Sequence, residues 1–137
     1  MNIIKIHPCF KLPELVTAGA GAYDIFMPEA GEVIPLVPTK IPLGFAAEVP
    51  QNFVALLLPR SSCGSKGISL ANTVGVIDSD YRGEWIANVF SKHSMRWEAG
   101  DRFFQFMLVP VLTEKLVLVD HLNTTMRATG GFGSTGK

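Results

Sequence analysis

Between Gly75 and Trp85 the chain reads GVIDSDYRGEW, setting the carboxylates of Asp78 and Asp80 beside the phenol of Tyr81 and the guanidinium of Arg82. An isolated D-x-D in a turn is ordinarily a solvated bend, but a carboxylate held rigidly is also a candidate general base. A second group is Pro59-Arg60-Ser61-Ser62-Cys63-Gly64, where a guanidinium and two hydroxyls emerge together after an apolar run. Such a turn is either an ordinary surface bend or a place where hydroxyls, backbone N–H groups and an arginine meet one anion. Asn72 precedes the first group, and its amide offers both a donor and an acceptor to a flat polar edge.

These side chains need rigid elements to hold them. Asn72–Ile77 and Trp85–Phe90 both read as strands, so the polar centre between them is expected at the bend of a hairpin. Upstream, Ile3–His7 is β-branched and stops at Pro8, the pattern of an edge strand, and Ala22–Met27 alternates as a half-buried strand with Asp24 near its start. Val33–Leu36, Ile41–Val49 and Phe53–Leu58 are short apolar runs separated by prolines and polar turns, and Phe103–Leu112 is a longer one. Helical stripes with caps are missing, so the pattern predicts an all-β, jelly-roll-like barrel.

The 137 residues fit one domain, with a core over 1–126 and a glycine-rich tail over 127–137. Twelve basic residues balance twelve acidic ones, which argues against a surface that coats nucleic-acid backbones while leaving room for a single small anion. Cys9 and Cys63 form no disulfide framework or metal spacing and are expected to be reduced, small, buried hydrophobes. His7, His93 and His121 lack a second ligand at metal spacing. The N-terminus is broken by Pro8 and Pro13 and reads as neither signal peptide nor membrane anchor, so a soluble protein of the cytoplasm is expected. The tail GFGSTGK fits part of a phosphate-binding loop, but no hydroxyl residue and helix follow its lysine.

Five segments, in order, resemble the motifs of the trimeric dUTP pyrophosphatases (dUTPases): Gly21-Ala22-Tyr23-Asp24-Ile25, Pro59-Arg60-Ser61-Ser62, the GVIDSDYRGE string, Gly100-Asp101-Arg102-Phe103-Phe104-Gln105, and Arg127-Ala128-Thr129-Gly130-Gly131-Phe132-Gly133-Ser134-Thr135-Gly136. The resemblance implies a homotrimer with shared sites that hydrolyses dUTP to dUMP and pyrophosphate with Mg²⁺. It places Asp24 beside the metal-triphosphate group through water, and Arg60, Ser61 and Ser62 at the phosphates, with Ser61 near the α–β bridging oxygen. By the same resemblance the hairpin carrying Asn72 and Gly75 reads uracil, Tyr81 lies under the deoxyribose, and Asp78 is the general base. Gln105 borders the phosphates. The tail is implied to be a lid in which Phe132 stacks on the base while Arg127, Gly133, Ser134 and Thr135 close over the phosphates. Asp80 and Arg82 are expected to be structural. Ala22, Ser62, Phe104 and Ala128 depart from the commoner family residues, and Phe104 in particular implies either altered packing or a displaced Gln105 arm.

Two other functions fit parts of this pattern. A dCTP deaminase of the same fold is opposed by the short chain, the Tyr81 hairpin and the glycine tail. A regulator that binds dUTP and switches a protein partner would use the same pocket as the hydrolase.

Overall fold

The computed structural model of the protein describes residues 1–130. Within them the short apolar runs form strands, and one turn of helix is the only helical element among the described residues. The longest strands, β6 (Phe53–Pro59) and β11 (Arg102–Pro110), pair antiparallel with Gln105 opposite Leu58 and Pro110 opposite Phe53. β2 (Tyr23–Phe26) flanks β11 and β8 (Gly75–Ile77) flanks β6, giving the order β2-β11-β6-β8. A second sheet joins β4 (Thr39–Pro42), β9 (Ile86–Ser91) and β7 (Ile68–Leu70). Two further antiparallel pairs, β1 (Ile3–Lys5) with β5 (Phe45–Ala47) and β3 (Gly31–Val33) with β10 (Met95–Trp97), complete the all-β architecture.

The alternation expected of half-buried strands decides which residues face inward. In β9, Ala87, Val89 and Ser91 are buried while Ile86 is exposed; in β6, Ala55 and Leu57 are buried. Trp85 occupies the middle of the core, 5.0 Å from the Phe45 ring and edge-on to Phe106 at 5.1 Å, all three buried. Rings of this size contribute on the order of 1.5–3 kcal/mol each by leaving water, so the aromatic centre fixes the spacing of the layers that carry the site. Phe104 is also fully buried in this core.

Five local expectations are corrected. The run Val33–Leu36 is strand only at Val33, where β3 ends before a turn. The strands around the polar centre do not pair with each other: β8 pairs with β6, whereas β9 pairs with β4 and β7. Residues 78–85 therefore cross from one sheet to another, and β9 takes β7 as an antiparallel neighbour, a pairing extended by Ala71 N–H donating to the Asn88 carbonyl at 2.7 Å. The run Ile41–Val49 is two strands, split where Gly44 turns with φ of 79°. Residues Ser61–Gly64 form one helical turn, α1, closed by Gly64 N–H donating to the Arg60 carbonyl at 3.0 Å. Cys63 on that turn is buried as expected, and burial pushes its thiol pKa up; Cys9 is exposed, so the buried-hydrophobe reading fails there.

Candidate functional site

The register of β2, β11 and β6 assembles one end of the four-stranded sheet. Asp24 lies opposite Gln105, and Gln105 lies opposite Leu58, two residues before Arg60. A shift in register between Arg102 and Phe104 bends β11 there. The result brings Asp24, Arg60, Ser61 and Gln105 to the wall of one open cavity of about 360 Å³, with the small residues Ala20, Gly21 and Ala22 at its rim. Gln105 keeps its place beside the cavity although Phe104 precedes it, because the Phe104 ring turns into the core.

Asp24 is the electrostatic centre of this group. It is 5 % exposed, and a buried carboxylate persists only when cations compensate it. Arg60 Nε lies 3.1 Å from Oδ1 and Arg102 Nη1 lies 3.3 Å from Oδ2. Arg60 also donates from Nη1 to the Arg102 carbonyl at 3.2 Å, which locks the two arginines to each other. The Arg102 contact with Oδ2 is close enough for ion pairing but lacks hydrogen-bond geometry, and that buried oxygen has no hydrogen-bond partner among the described residues. One acceptor site on the carboxylate therefore remains unused. Arg102 is the functional neighbour that motif reading left without a role; its signal was its place in the same string as Gln105, but its partnership with Asp24 depends on strand register.

Ser62 lies on α1 just outside this cavity and lines a neighbouring one with Arg60, Lys66 and Arg102. The remaining expected residues are elsewhere in the chain. Asn72 is exposed in a turn where Thr73 adopts φ of 68° and donates its N–H to the Leu70 carbonyl at 2.9 Å. Gly75 is buried in β8, and a Cβ there would come within 3.0 Å of the Leu57 Cβ, so its lack of a side chain lets β8 lie close on β6. Asp78 is exposed just beyond Ile77, which pairs with Ala55. Ala55 is five residues from Arg60 along β6, or about 17 Å at strand rise. Asp78 and the Asp24–Arg60–Ser61–Gln105 group thus occupy opposite ends of one sheet.

Tyr81 is exposed, with its hydroxyl donating to the Glu84 carbonyl at 3.1 Å. Arg82, exposed, donates to the carbonyls of Ser79 at 2.8 Å and Tyr81 at 3.1 Å. Arg127 is exposed and donates to the Gly130 carbonyl at 2.9 Å, in a turn where Ala128 has φ of 44°. Phe132, Gly133, Ser134 and Thr135 lie outside the described residues. No helix among the described residues is long and apolar enough to cross a membrane.

The dUTPase family profile matches residues 9–136. A deoxyuridine 5'-triphosphate nucleotidohydrolase of Acinetobacter baumannii is 41% identical over 134 residues, covering 93% of this chain and 89% of that protein. Its counterpart in Desulfitobacterium hafniense is 40% identical, covering 99% of both. Among solved structures, the Staphylococcus bacteriophage 80alpha dUTPase with dUPNHPP superposes with a TM-score of 0.91 at 25% identity, covering 99% of this chain and 98% of that one. With a family profile spanning almost its whole length and bacterial relatives at this identity, the chain belongs to the dUTPase family.

Proposed function

We propose that the protein is a dUTP diphosphatase, converting dUTP and water to dUMP and pyrophosphate at sites shared between the subunits of a homotrimer. The observation that carries this reading is the cavity where Asp24, Arg60, Ser61 and Gln105 converge. An arginine, a hydroxyl and an amide beside a carboxylate that Arg60 and Arg102 compensate suit a triphosphate, and the cavity's open mouth suits a ligand that must leave as two products. Arg60, Ser61 and Ser62 bind phosphate oxygens, with Ser61 at the α–β bridge, and Gln105 borders the same oxygens. At the other end of the sheet, Asn72 and Gly75 belong to the base-reading segment that enters β8, Tyr81 supports the deoxyribose, and Asp78 accepts the proton of the attacking water. The water oxygen bonds to the α-phosphorus as the bond to the α–β bridging oxygen breaks, and that oxygen leaves with pyrophosphate. Arg127, Phe132, Gly133, Ser134 and Thr135 close over the nucleotide, excluding bulk water.

The cofactor in this reading is Mg²⁺. Among the described residues no cluster of three His, Cys, Asp or Glu side chains could cage an ion. The donor set fits magnesium nonetheless, because that ion keeps several waters and is held by one or two carboxylates plus substrate phosphates. Asp24, with one acceptor site unused, would hold it through water. When bound, the ion neutralises charge developing on the phosphates.

Sharing of the site is supported by distance. Asp78 stands about 17 Å along β6 from Arg60, too far for one protomer's base to serve its own phosphate end. Residues beyond β11 add a second reason for assembly: Leu112, Leu116, Val117, Leu118 and Leu122 are all exposed in a segment without regular secondary structure, an accumulation of apolar side chains of the kind that a partner covers. The deaminase and sensor readings are not favoured, since the bacterial relatives are named as nucleotidohydrolases.

The test is pyrophosphate release in magnesium with dUTP, dCTP, dTTP and UTP. Activity with dUTP should exceed each of the others at least about a hundredfold, or ~2.7 kcal/mol of transition-state selectivity. Equal turnover of dTTP would sink the reading.

A further inference from the structure

The polar loop between β8 and β9 holds Tyr81 by means that its own residues supply. The Tyr81 hydroxyl donates back to the Glu84 carbonyl, which curls the ring over Gly83. A Cβ at Gly83 would overlap the ring at its hydroxyl and Cζ atoms, so the ring can lie there only because residue 83 has no side chain. Glu84 then ties the curled loop to a different strand connection. Its Oε1 accepts the Gly44 N–H at 3.0 Å in a half-buried position. Gly44 is itself fixed: its φ is 79°, and a Cβ there would meet His7 and Pro28. On either side of this contact, Leu43 donates to the Trp85 carbonyl and Trp85 donates to the Phe45 carbonyl, each at 2.9 Å, with the Trp85 ring in the core.

We infer that Gly83 and Glu84 are positioning residues for Tyr81 and, through it, determinants of the preference for deoxyribose over ribose. The inference rests on the reading of Tyr81 as the residue beneath the sugar. An exposed tyrosine on a free loop would visit several rotamers, and a wall that moves rejects a 2'-hydroxyl poorly. Here the ring is held at its tip by a carbonyl and lies against a glycine, and the loop that carries it is tied by the Glu84 carboxylate to the turn between β4 and β5. A site residue has to be held this closely before its contacts discriminate between ligands that differ by one oxygen.

The test is steady-state kinetics on dUTP and UTP for Gly83→Ala, Glu84→Ala, Glu84→Gln and Tyr81→Ala, each with a melting curve. Gly83→Ala and Glu84→Ala should raise KM for dUTP and lower the dUTP/UTP ratio of kcat/KM by about tenfold, KM changing more than kcat. Glu84→Gln keeps an oxygen acceptor for Gly44 and should restore most of that ratio. Lost fold stability alone would lower the active fraction for both nucleotides equally and leave the ratio where it was. If Tyr81→Ala lowers the ratio while Gly83→Ala and Glu84→Ala leave it unchanged, the positioning role is wrong. If Tyr81→Ala itself leaves the ratio unchanged, the placement of Tyr81 under the sugar is wrong, and the inference falls with it. Gly83→Ala leaves the Gly44 bond intact and decides the matter should Glu84→Ala fail to fold.

Discussion

In the proposed mechanism two aspartates divide the chemistry, and their surroundings fit the division. Asp24 is buried between two arginines, an arrangement that suits holding charge rather than moving protons. Asp78 is exposed at the mouth of the loop and free to meet water. Asp78→Asn keeps the shape and removes the proton acceptor, so nucleotide binding by titration calorimetry should persist while turnover falls by roughly 10²- to 10⁴-fold. Near-normal turnover would take Asp78 out of the base role. Arg60 and Ser61 stand in a short string whose residue types already hint at anion binding, whereas Asp24 and Gln105 are picked out only by the resemblance of their strings to family motifs. Arg102 as partner of Asp24 was not legible in the sequence, since it reaches the carboxylate through the bent pairing of β2 and β11, which no local string encodes. Cys9 was misread for a similar reason: residue type gives an average tendency to burial, and the loop after His7 leaves this thiol outside.

The elements were easier to find than to pair. Apolar runs located the longer strands but missed β7 and β10 and met β3 only at Val33; both flanks of the polar centre read equally as strands, and which partner each takes is a long-range choice made by the aromatic core around Trp85. The turn entering β8 carries a cost that residue type makes visible. Thr73 is β-branched yet holds φ of 68°, a region that costs an L-residue about 1–2 kcal/mol. Thr73→Gly should relieve this and, allowing for the entropy that glycine loses, raise the melting temperature by roughly 2–4 °C for a chain of this size. Nucleotide affinity should fall in the same variant, because the turn that presents Asn72 and Gly75 loosens; a lower melting temperature would show that the strain is not real. The glycine-rich tail poses the opposite balance. Stacking on a base is worth about 1–3 kcal/mol, while ordering each residue costs roughly 1–2 kcal/mol, so closure needs phosphate contacts as well. Deletion after Met126 should therefore cut turnover sharply with an unchanged melting curve, and Phe132→Ala should cut it less; unchanged turnover in the deletion would reduce the tail to a bystander.

At the scale of the whole molecule, the all-β architecture followed from apolar runs of strand length punctuated by proline and glycine, with β4, β6 and β11 all ending on a proline. What alternation could not reveal is that the candidate machinery is split between two ends of one sheet. That separation along β6 has a consequence for mixtures of damaged chains. If phosphate binding and proton abstraction are supplied to each site by different copies, two lesions that are each fatal in a pure preparation need not be fatal together. Ser61→Ala and Asp78→Asn, unfolded together and refolded as random hybrids, should regain activity in about one site in four, because a site whose two halves come from different chains can draw an intact half from each. The same mixture would stay dead if every chain served only itself. A cell carrying both alleles would accordingly show complementation within one gene, and a single defective allele would disable sites formed partly by healthy copies.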